Sequence, residues 1–511
     1  MSSQGFWGGK RHHNAVALIS AAVVFLVHAI GNPHYGFFRD ELYFIICGRH
    51  PQWGYVDQPP VVPLLAAGTQ IFGHSLFLLR IVPALFAGAG AYITCVLAAE
   101  FGGGTFAQSL ATLTFLFTGV LMSFGMKVGP DEVGLWTWPL LALIAVRIIK
   151  GAGPRQWLLF GLIVGLSIES KYSVLFLLAA FFAGLALTPE RRILANVWVA
   201  AGAAIALLIA LPAFVWQAYY GFPIWELLEG GQNGKNIIAG PGLYLVQQIL
   251  ITNLFLFPVW VIGLVRLFRD GPNRFLGYAY VILIVEMLVF HGKHYYPANV
   301  YPILIAAGGV QIERWTQQLR AVRIAIVAYA LVLGPIFVPF SLPILPEQTF
   351  LTYQANVMHT LHISSSALAT EHVRKATPLP QDWADMHGWP EFAQAIKGVY
   401  DSLPPAERAQ AVVFASNYGE ASAIEFFTPD VPVISGHNQF WLWGTQGYSG
   451  NVIIDVPGDC GESSHLFKSA QLVARFNAPY TIGWETDIPI MVCRGIRKPL
   501  SDIWPKVKKY I

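Results

Sequence analysis

The residues best suited to chemistry gather in a few short polar stretches of a largely apolar chain. The first is Gly36-Phe37-Phe38-Arg39-Asp40-Glu41-Leu42-Tyr43, directly after an apolar run. An Arg-Asp-Glu triplet at such an edge is costly unless solvated or paired. It reads either as an interfacial anchor or as a carboxylate aimed at a reaction centre. The second is Trp53-Gly54-Tyr55-Val56-Asp57-Gln58-Pro59-Pro60, in which an acid and an amide precede two prolines that fix the backbone and can open a helix. The third holds the acid pair Asp131-Glu132, which follows Lys127-Val128-Gly129-Pro130, and Asp131 also suits a helix cap. Lys171-Tyr172 lies between two apolar runs. His291-Gly292-Lys293-His294-Tyr295-Tyr296-Pro297 forms a basic, aromatic loop. Its two histidines are a weak metal signal, and contact of Lys293 and the tyrosines with a phosphate or headgroup suits the loop better.

The elements that must position these residues are membrane helices. The chain has 511 residues, 55% apolar and only 12% charged. A soluble domain carries about 25% charged residues. A single soluble globule and intrinsic disorder are both excluded, and a net charge of +3 is too small to argue for nucleic acid. Apolar runs predict about eleven spans, near 14–31, 79–99, 105–124, 132–149, 156–170, 173–188, 194–218, 246–266, 275–291, 298–312 and 322–342. The first run lacks a small-residue cleavage site and reads as a retained helix. Segment 60–73 is too short to cross and reads as a helix along the membrane surface. With the N-terminus, including Lys10 and Arg11, on the cytoplasmic side, that side holds thirteen Lys and Arg against seven on the other up to residue 344. This bias orients the chain and places the C-terminal part outside.

Residues 345–511 change character. Short apolar runs at 411–416, 431–435, 451–456, 472–476 and 489–493 alternate with turn signals, and helices fit at 391–402 and 419–427. The reading is mainly α: a polytopic transmembrane helical bundle (1–344) with external loops at 32–60, 125–131, 219–245 and 291–298, followed by an extracytoplasmic α/β domain (345–511). Cys460 and Cys493 would share an oxidising compartment, where a disulfide or two separate thiols are both open. Asp40, Glu41, Asp57, Asp131, Lys171 and Lys293 then lie on one side of the membrane. Carboxylates there can deprotonate an acceptor hydroxyl or amine, and cations can hold a departing phosphate. The combination suggests transfer from a lipid-phosphate donor.

The loop FFRDELYF followed by WGYVDQPPVVPLL resembles the first external loop of bacterial glycosyltransferase family 39 proteins. These belong to the C-type superfamily that includes protein O-mannosyltransferases and lipid A aminoarabinose transferases. SIESKYSVLFLL, GKHYYPANVYPILIAAGGV and the tail segments SNYGEASAIEFF, SGHNQFWLWG and PIMVCRGIRKPL extend the likeness over most of the chain. The resemblance implies a polyprenyl-phosphate-linked sugar donor, a lipid A, glycolipid, envelope-glycan or protein acceptor, and inverting displacement at the anomeric carbon in the inner membrane. It makes Asp40, with Glu41 and Asp131, the catalytic candidates. Arg39, Tyr55, Asp57, Gln58, Lys171, Tyr172, Lys293, Tyr295 and Tyr296 are the substrate-binding candidates. Gln58 departs from the aminoarabinose transferases, which have Lys there. Some members of the superfamily need a divalent metal and others do not, so the metal stays open. A competing reading is a transporter or flippase of a lipid-linked sugar, but no internal repeat is visible and the acids crowd at one face. A membrane-anchored binding protein gives no reason for the loop acids.

Overall fold

Long runs of Leu, Ala, Ile, Val and Phe become helices because a helix pairs its own backbone polar groups where no water can. The computed structural model describes residues 11–364, 367–369, 371, 377–461 and 465–511. Lys10, counted toward the cytoplasmic side, lies outside them. Each of the eleven apolar runs is helical, yet helix length does not support eleven spans. Among the described residues four helices are long and apolar enough to cross: Leu76–Glu100, Val197–Tyr219, Gly271–Val289 and Arg320–Phe340. A fifth is available if Pro241–Thr252 and Phe257–Arg269, bent by 114°, count as one. Helices such as Gln156–Ile168 and Val174–Ala186 have 13 residues. At 1.5 Å per residue they reach about 20 Å, short of the ~30 Å hydrocarbon layer. The run at 105–124 is divided into Thr105–Leu116 and Gly119–Phe124.

Packing divides the chain into two compact units. One holds 1–33, 77–214 and 237–370, and the other holds 34–76, 215–236 and 371–511. The division at 344 read from composition does not coincide with them, because polarity and packing group residues differently.

The first unit is helical, and small residues bring its helices together. A Cβ on Gly263 would lie 1.8 Å from the carbonyl oxygen of Leu304, and one on Gly308 would lie 1.9 Å from that of Val259. Helices Phe257–Arg269 and Tyr301–Trp315 therefore meet backbone to backbone, as membrane helices do when dispersion and close fit replace the hydrophobic drive. Buried Arg80 donates to the Asn32 carbonyl at 2.8 Å, and Asn32 Nδ2 donates to the Gly125 carbonyl at 2.8 Å. Together these bonds tie the end of the first helix to two later segments.

The second unit is built on a five-stranded sheet. Strands β1 (Ala411–Ala415), β2 (Val433–Ser435), β3 (Val452–Val456), β4 (Phe467–Phe476) and β5 (Ile488–Ile496) run in the order β2-β1-β3-β5-β4. The β1 pairings to β2 and β3 are parallel, whereas β3–β5 and β5–β4 are antiparallel. The five apolar runs of the tail each fall on one of these strands. The helices expected at 391–402 and 419–427 are Trp389–Ser402 and Tyr418–Phe427. Cys460 and Cys493 form a disulfide. Segment 60–73 contributes the helix Val61–Thr69. It lies against Arg39–Arg49 so closely that a Cβ on Gly48 would sit 2.0 Å from the Pro63 carbonyl.

Candidate active site

Helix Arg39–Arg49 sets the geometry of the first acidic motif. Its first turn holds Arg39, Asp40 and Glu41, where acids favour the helix dipole. The three side chains do different things. Glu41, at the third helical position, is fully buried and accepts the Phe38 N–H at 2.9 Å. That is half of a capping box, so Glu41 supports the helix start. Arg39 is buried and leaves the helix toward residues of the tail. Its Nη2 lies 3.6 Å from Asp385 Oδ2, and its guanidinium stands over the rings of Tyr418 and Trp484 at 5.4 and 5.7 Å. Burial works against that charge, but Asp385 and Asp40 hold it firmly ionised.

Asp40 is the member left open, with a side chain 35% exposed. Tyr418 Oη donates to its Oδ1 at 2.8 Å, and Arg39 Nε lies 3.4 Å from the same oxygen. One carboxylate oxygen is thus fixed, and among the described residues no hydrogen bond engages the other. Burial and the Asp40 charge keep the Tyr418 hydroxyl protonated, although Arg39 pulls the other way. Tyr418 therefore remains a donor and orients the carboxylate. Such an acid is built to accept a proton at its second oxygen.

Tyr418 opens its own helix behind a capping box: Asn417 Oδ1 accepts the Glu420 N–H at 3.0 Å, and Glu420 Oε2 accepts the Asn417 N–H at 3.3 Å. The next residue must be small. A Cβ on Gly419 would lie 2.4 Å from Arg39 Cγ, so Arg39 passes over a helix surface with no side chain in its path. Gly419→Ala is expected to displace Arg39, to destabilise the protein by about 1–3 kcal/mol through overpacking, and to lower any activity of Asp40 about tenfold. Thermal denaturation and a rate assay on the same preparation check both.

Buried acids surround Arg39. Asp385 is fully buried, and among the described residues neither of its carboxylate oxygens is hydrogen-bonded. Burial raises its pKa to about 7, with Arg39 opposing. Glu420 and Glu485, both buried, are also pushed upward by desolvation. For an acid whose folded pKa is raised, the folded state holds the proton while the unfolded chain releases it. Stability is then full below the unfolded value, near 4 for Asp, and falls as pH climbs toward about 7. A thermal-melt series from pH 4 to 8 should show this decline, and Asp385→Asn should flatten it.

The second motif of the first loop braces the same helix. Tyr43 Oη donates to Asp57 Oδ1 at 2.9 Å, and Tyr55 Oη donates to the Cys47 carbonyl at 2.7 Å. Gln439 of the tail joins both stretches: its Oε1 accepts the Val56 N–H at 3.1 Å, and its own N–H reaches Tyr43 Oη at 3.3 Å. Tyr55 and Gln58 are buried. Asp57 is half-buried.

The first unit carries the second cluster. Lys171 Nζ lies 2.7 and 2.8 Å from the two carboxylate oxygens of Asp131. The same ammonium stands 4.7 Å from the centre of the Tyr296 ring and 5.8 Å from that of Tyr295. Asn299 Nδ2 donates to the Asp131 carbonyl at 3.0 Å, and Ser170 Oγ to the Pro130 carbonyl at 3.2 Å. Asp131, Lys171, Tyr295 and Tyr296 therefore stand together. Tyr172 instead stacks on Phe214, with centroids 5.9 Å apart. The Lys293 carbonyl receives the Tyr244 hydroxyl at 3.5 Å.

Asp40 and Asp385 both lie beside Arg39, and Asp131 lies beside Lys171, so each of the two clusters already holds a side-chain cation. Elsewhere among the described residues, Asp455, Cys460 and Cys493 lie close together, but the two sulfurs are bonded to each other and offer no thiolate.

The tail partners Asp385, Tyr418, Gln439 and Glu485 were not singled out from sequence. Tyr418 and Gln439 lie inside the quoted segments SNYGEASAIEFF and SGHNQFWLWG, but no feature of those segments distinguishes them from their neighbours.

Residues 57–216 match the family described as dolichyl-phosphate-mannose-protein mannosyltransferase. The chain is 27% identical over 300 residues to the lipid A galacturonosyltransferase RgtD of Rhizobium johnstonii, a match covering 56% of this chain and 61% of that relative. Its fold is similar to that of ArnT from Cupriavidus metallidurans, solved bound to undecaprenyl phosphate (TM-score 0.59) and in the apo state (TM-score 0.58). In both cases the identity is 14%, with 94% of this chain and 97% of the other covered. The likeness to C-type membrane glycosyltransferases read from the loops is therefore seen in sequence and in fold.

Proposed function

We propose that the protein is an integral-membrane glycosyltransferase that moves a sugar from a polyprenyl-phosphate donor to a lipid A, glycolipid, envelope-glycan or protein acceptor. The observation that carries this reading is Asp40: one oxygen fixed by Tyr418 and Arg39, the other open, on a side chain that is one-third exposed. The relatives' names support the substrate class, since one is a lipid A galacturonosyltransferase and the similar fold was solved with undecaprenyl phosphate.

In the proposed reaction the acceptor O–H or N–H gives its proton to Asp40 as its heteroatom attacks the anomeric carbon. The bond from that carbon to the phosphate oxygen breaks with inversion, and the electron pair leaves on the polyprenyl phosphate. Lys171, backed by Tyr295 and Tyr296, balances the charge that grows on the departing phosphate. Arg39 holds Asp40 in place rather than touching donor phosphate, because its guanidinium is buried among tail residues. Asp57 and Tyr55 support the helix that presents Asp40, through Tyr43 and the Cys47 carbonyl. We further propose that the sheet-bearing part is extracytoplasmic and that the N-terminus is cytoplasmic.

Mass spectrometry of envelope glycolipids and glycans from cells with and without the protein tests the reading. Loss of one glycosyl mass from one class of acceptor is expected. Unchanged glycan profiles, together with no transfer by purified protein from a polyprenyl-phosphate sugar, would overturn it.

A further inference from the structure

The first unit holds a larger cavity that has no part in the proposed transfer. It measures about 600 Å³ and is lined by Glu100, Lys150, Arg266, Asp270, Asn273 and Arg314, with Arg269, Phe101 and Ile149 beside them. Helix Gly134–Ile149 fixes its place. Asp131 precedes the first turn of that helix, and Lys150 follows its last. Sixteen residues of helix span about 24 Å, so the cavity lies at the end remote from the Asp131–Lys171 pair. Two helices long and apolar enough to cross the membrane end at it: Leu76–Glu100 closes there and Gly271–Val289 opens there. With these two helices as spans, the cavity falls at headgroup depth on one face.

Its charge is unbalanced. Four cations line it against two acids. Glu100 is already taken by Arg147 at 2.7 Å and Lys150 at 3.2 Å. Asp270 stands 3.4 Å from Arg266 Nη2. Among the described residues Arg269 and Arg314 have no carboxylate partner. Arg266 is buried, with Nη1 on Gln311 Oε1 at 3.3 Å and Nη2 on the Phe101 carbonyl at 3.1 Å, yet among the described residues its Nε has no acceptor. A buried guanidinium N–H left unpaired is costly. Cations at helix C-termini do offset the helix dipole, but that role asks only for solvated side chains, not a shared hollow with an unused buried donor.

We propose that this cavity binds a phosphate-bearing anion, and specifically the headgroup of an anionic membrane lipid. A phosphodiester accepts from several guanidinium donors at once and would neutralise the excess charge. The apolar lining of Phe101 and Ile149 suits the glycerol and first methylenes of a lipid, and the depth of the cavity favours a lipid over a soluble ion.

The full-length protein, purified in detergent, is incubated with dioleoylphosphatidylglycerol, dioleoylphosphatidylcholine or inorganic phosphate, and bound species are counted by native mass spectrometry. Phosphatidylglycerol should be retained about tenfold better than the zwitterionic lipid. A membrane-proximal basic residue is worth about a fivefold change in affinity, so Arg269→Gln with Arg314→Gln should weaken retention about 25-fold. Arg191→Gln with Arg192→Gln, an equally exposed pair outside the lining, should change it less than twofold. Should the first pair fail to fold, Lys150→Gln on a separate helix is expected to give about a fivefold loss. Displacement of the lipid by inorganic phosphate, with the same dependence on Arg269 and Arg314, would keep the site and assign it a soluble anion. Equal loss from both arginine pairs, or none from the lining pair, would overturn it.

Discussion

Asp40→Asn is expected to lower sugar transfer by about 10²- to 10⁴-fold while leaving the melting temperature within a degree or two. The magnitude is that of a lost general base. The stability follows from the contacts: asparagine keeps an oxygen for the Tyr418 hydroxyl, which lies 2.8 Å from Asp40 Oδ1, and Arg39 retains Asp385 at 3.6 Å. Glu41→Gln is the matched control. Its position is fully buried and receives the Phe38 N–H, and a glutamine oxygen can still accept that bond, so transfer should persist within a few-fold. Tyr418→Phe falls between them. It removes the donor that fixes Asp40 without touching its charge, and a loss of about tenfold is expected. The measurement is transfer from a defined polyprenyl-phosphate sugar by each variant in detergent, with the product identified by mass. Equal rates for Asp40→Asn and the parent would remove Asp40 from the mechanism, whatever happened to Glu41.

How far such a site could be read from sequence depends on how local its parts are. The strands of the tail were visible because five short apolar runs alternate with turns, and each run became a strand of the sheet. Apolar runs likewise marked the helices. Their number as membrane crossings was not legible, because hydropathy does not register breaks such as the 114° bend between Thr252 and Phe257. Asp40 stood out because an Arg-Asp-Glu triplet beside an apolar run demands an explanation. Its difference from Glu41 did not, since adjacent acids become distinct only once one caps the helix and the other meets Tyr418. The partners Asp385 and Tyr418 lie more than 340 residues away along the chain. Nothing local in DWADMHGW or SNYGEAS marks the two residues that hold Arg39 and Asp40. Gly419 is the clearest case: within the chain it is an ordinary glycine, and its reason is the Arg39 side chain that crosses it.

The second large effect concerns Lys171, and it is carried by a comparison of two substitutions. Lys171 and Asp131 form a close pair, with both carboxylate oxygens within 2.8 Å of the ammonium. A pair of this kind could be structural, each charge present only for the other. If so, removing either partner strands the survivor, and both single variants should lose stability and activity alike. If Lys171 instead serves a departing phosphate, the two partners are unequal. Lys171→Gln then removes the cation needed in the transition state and should cost about 10²- to 10³-fold in kcat. Asp131→Asn leaves that cation in place, still flanked by Tyr295 and Tyr296 at 5.8 and 4.7 Å, and should cost less than tenfold. Losing the competing carboxylate should also tighten retention of the polyprenyl phosphate product. The double variant should behave as Lys171→Gln does, because Asp131 has no role once its partner is gone. A fall in kcat with KM little changed marks charge stabilisation in the transition state, whereas a rise in KM alone would indicate uniform binding of the donor. Matched losses in the two single variants would return the pair to the scaffold and leave the leaving group without its proposed cation.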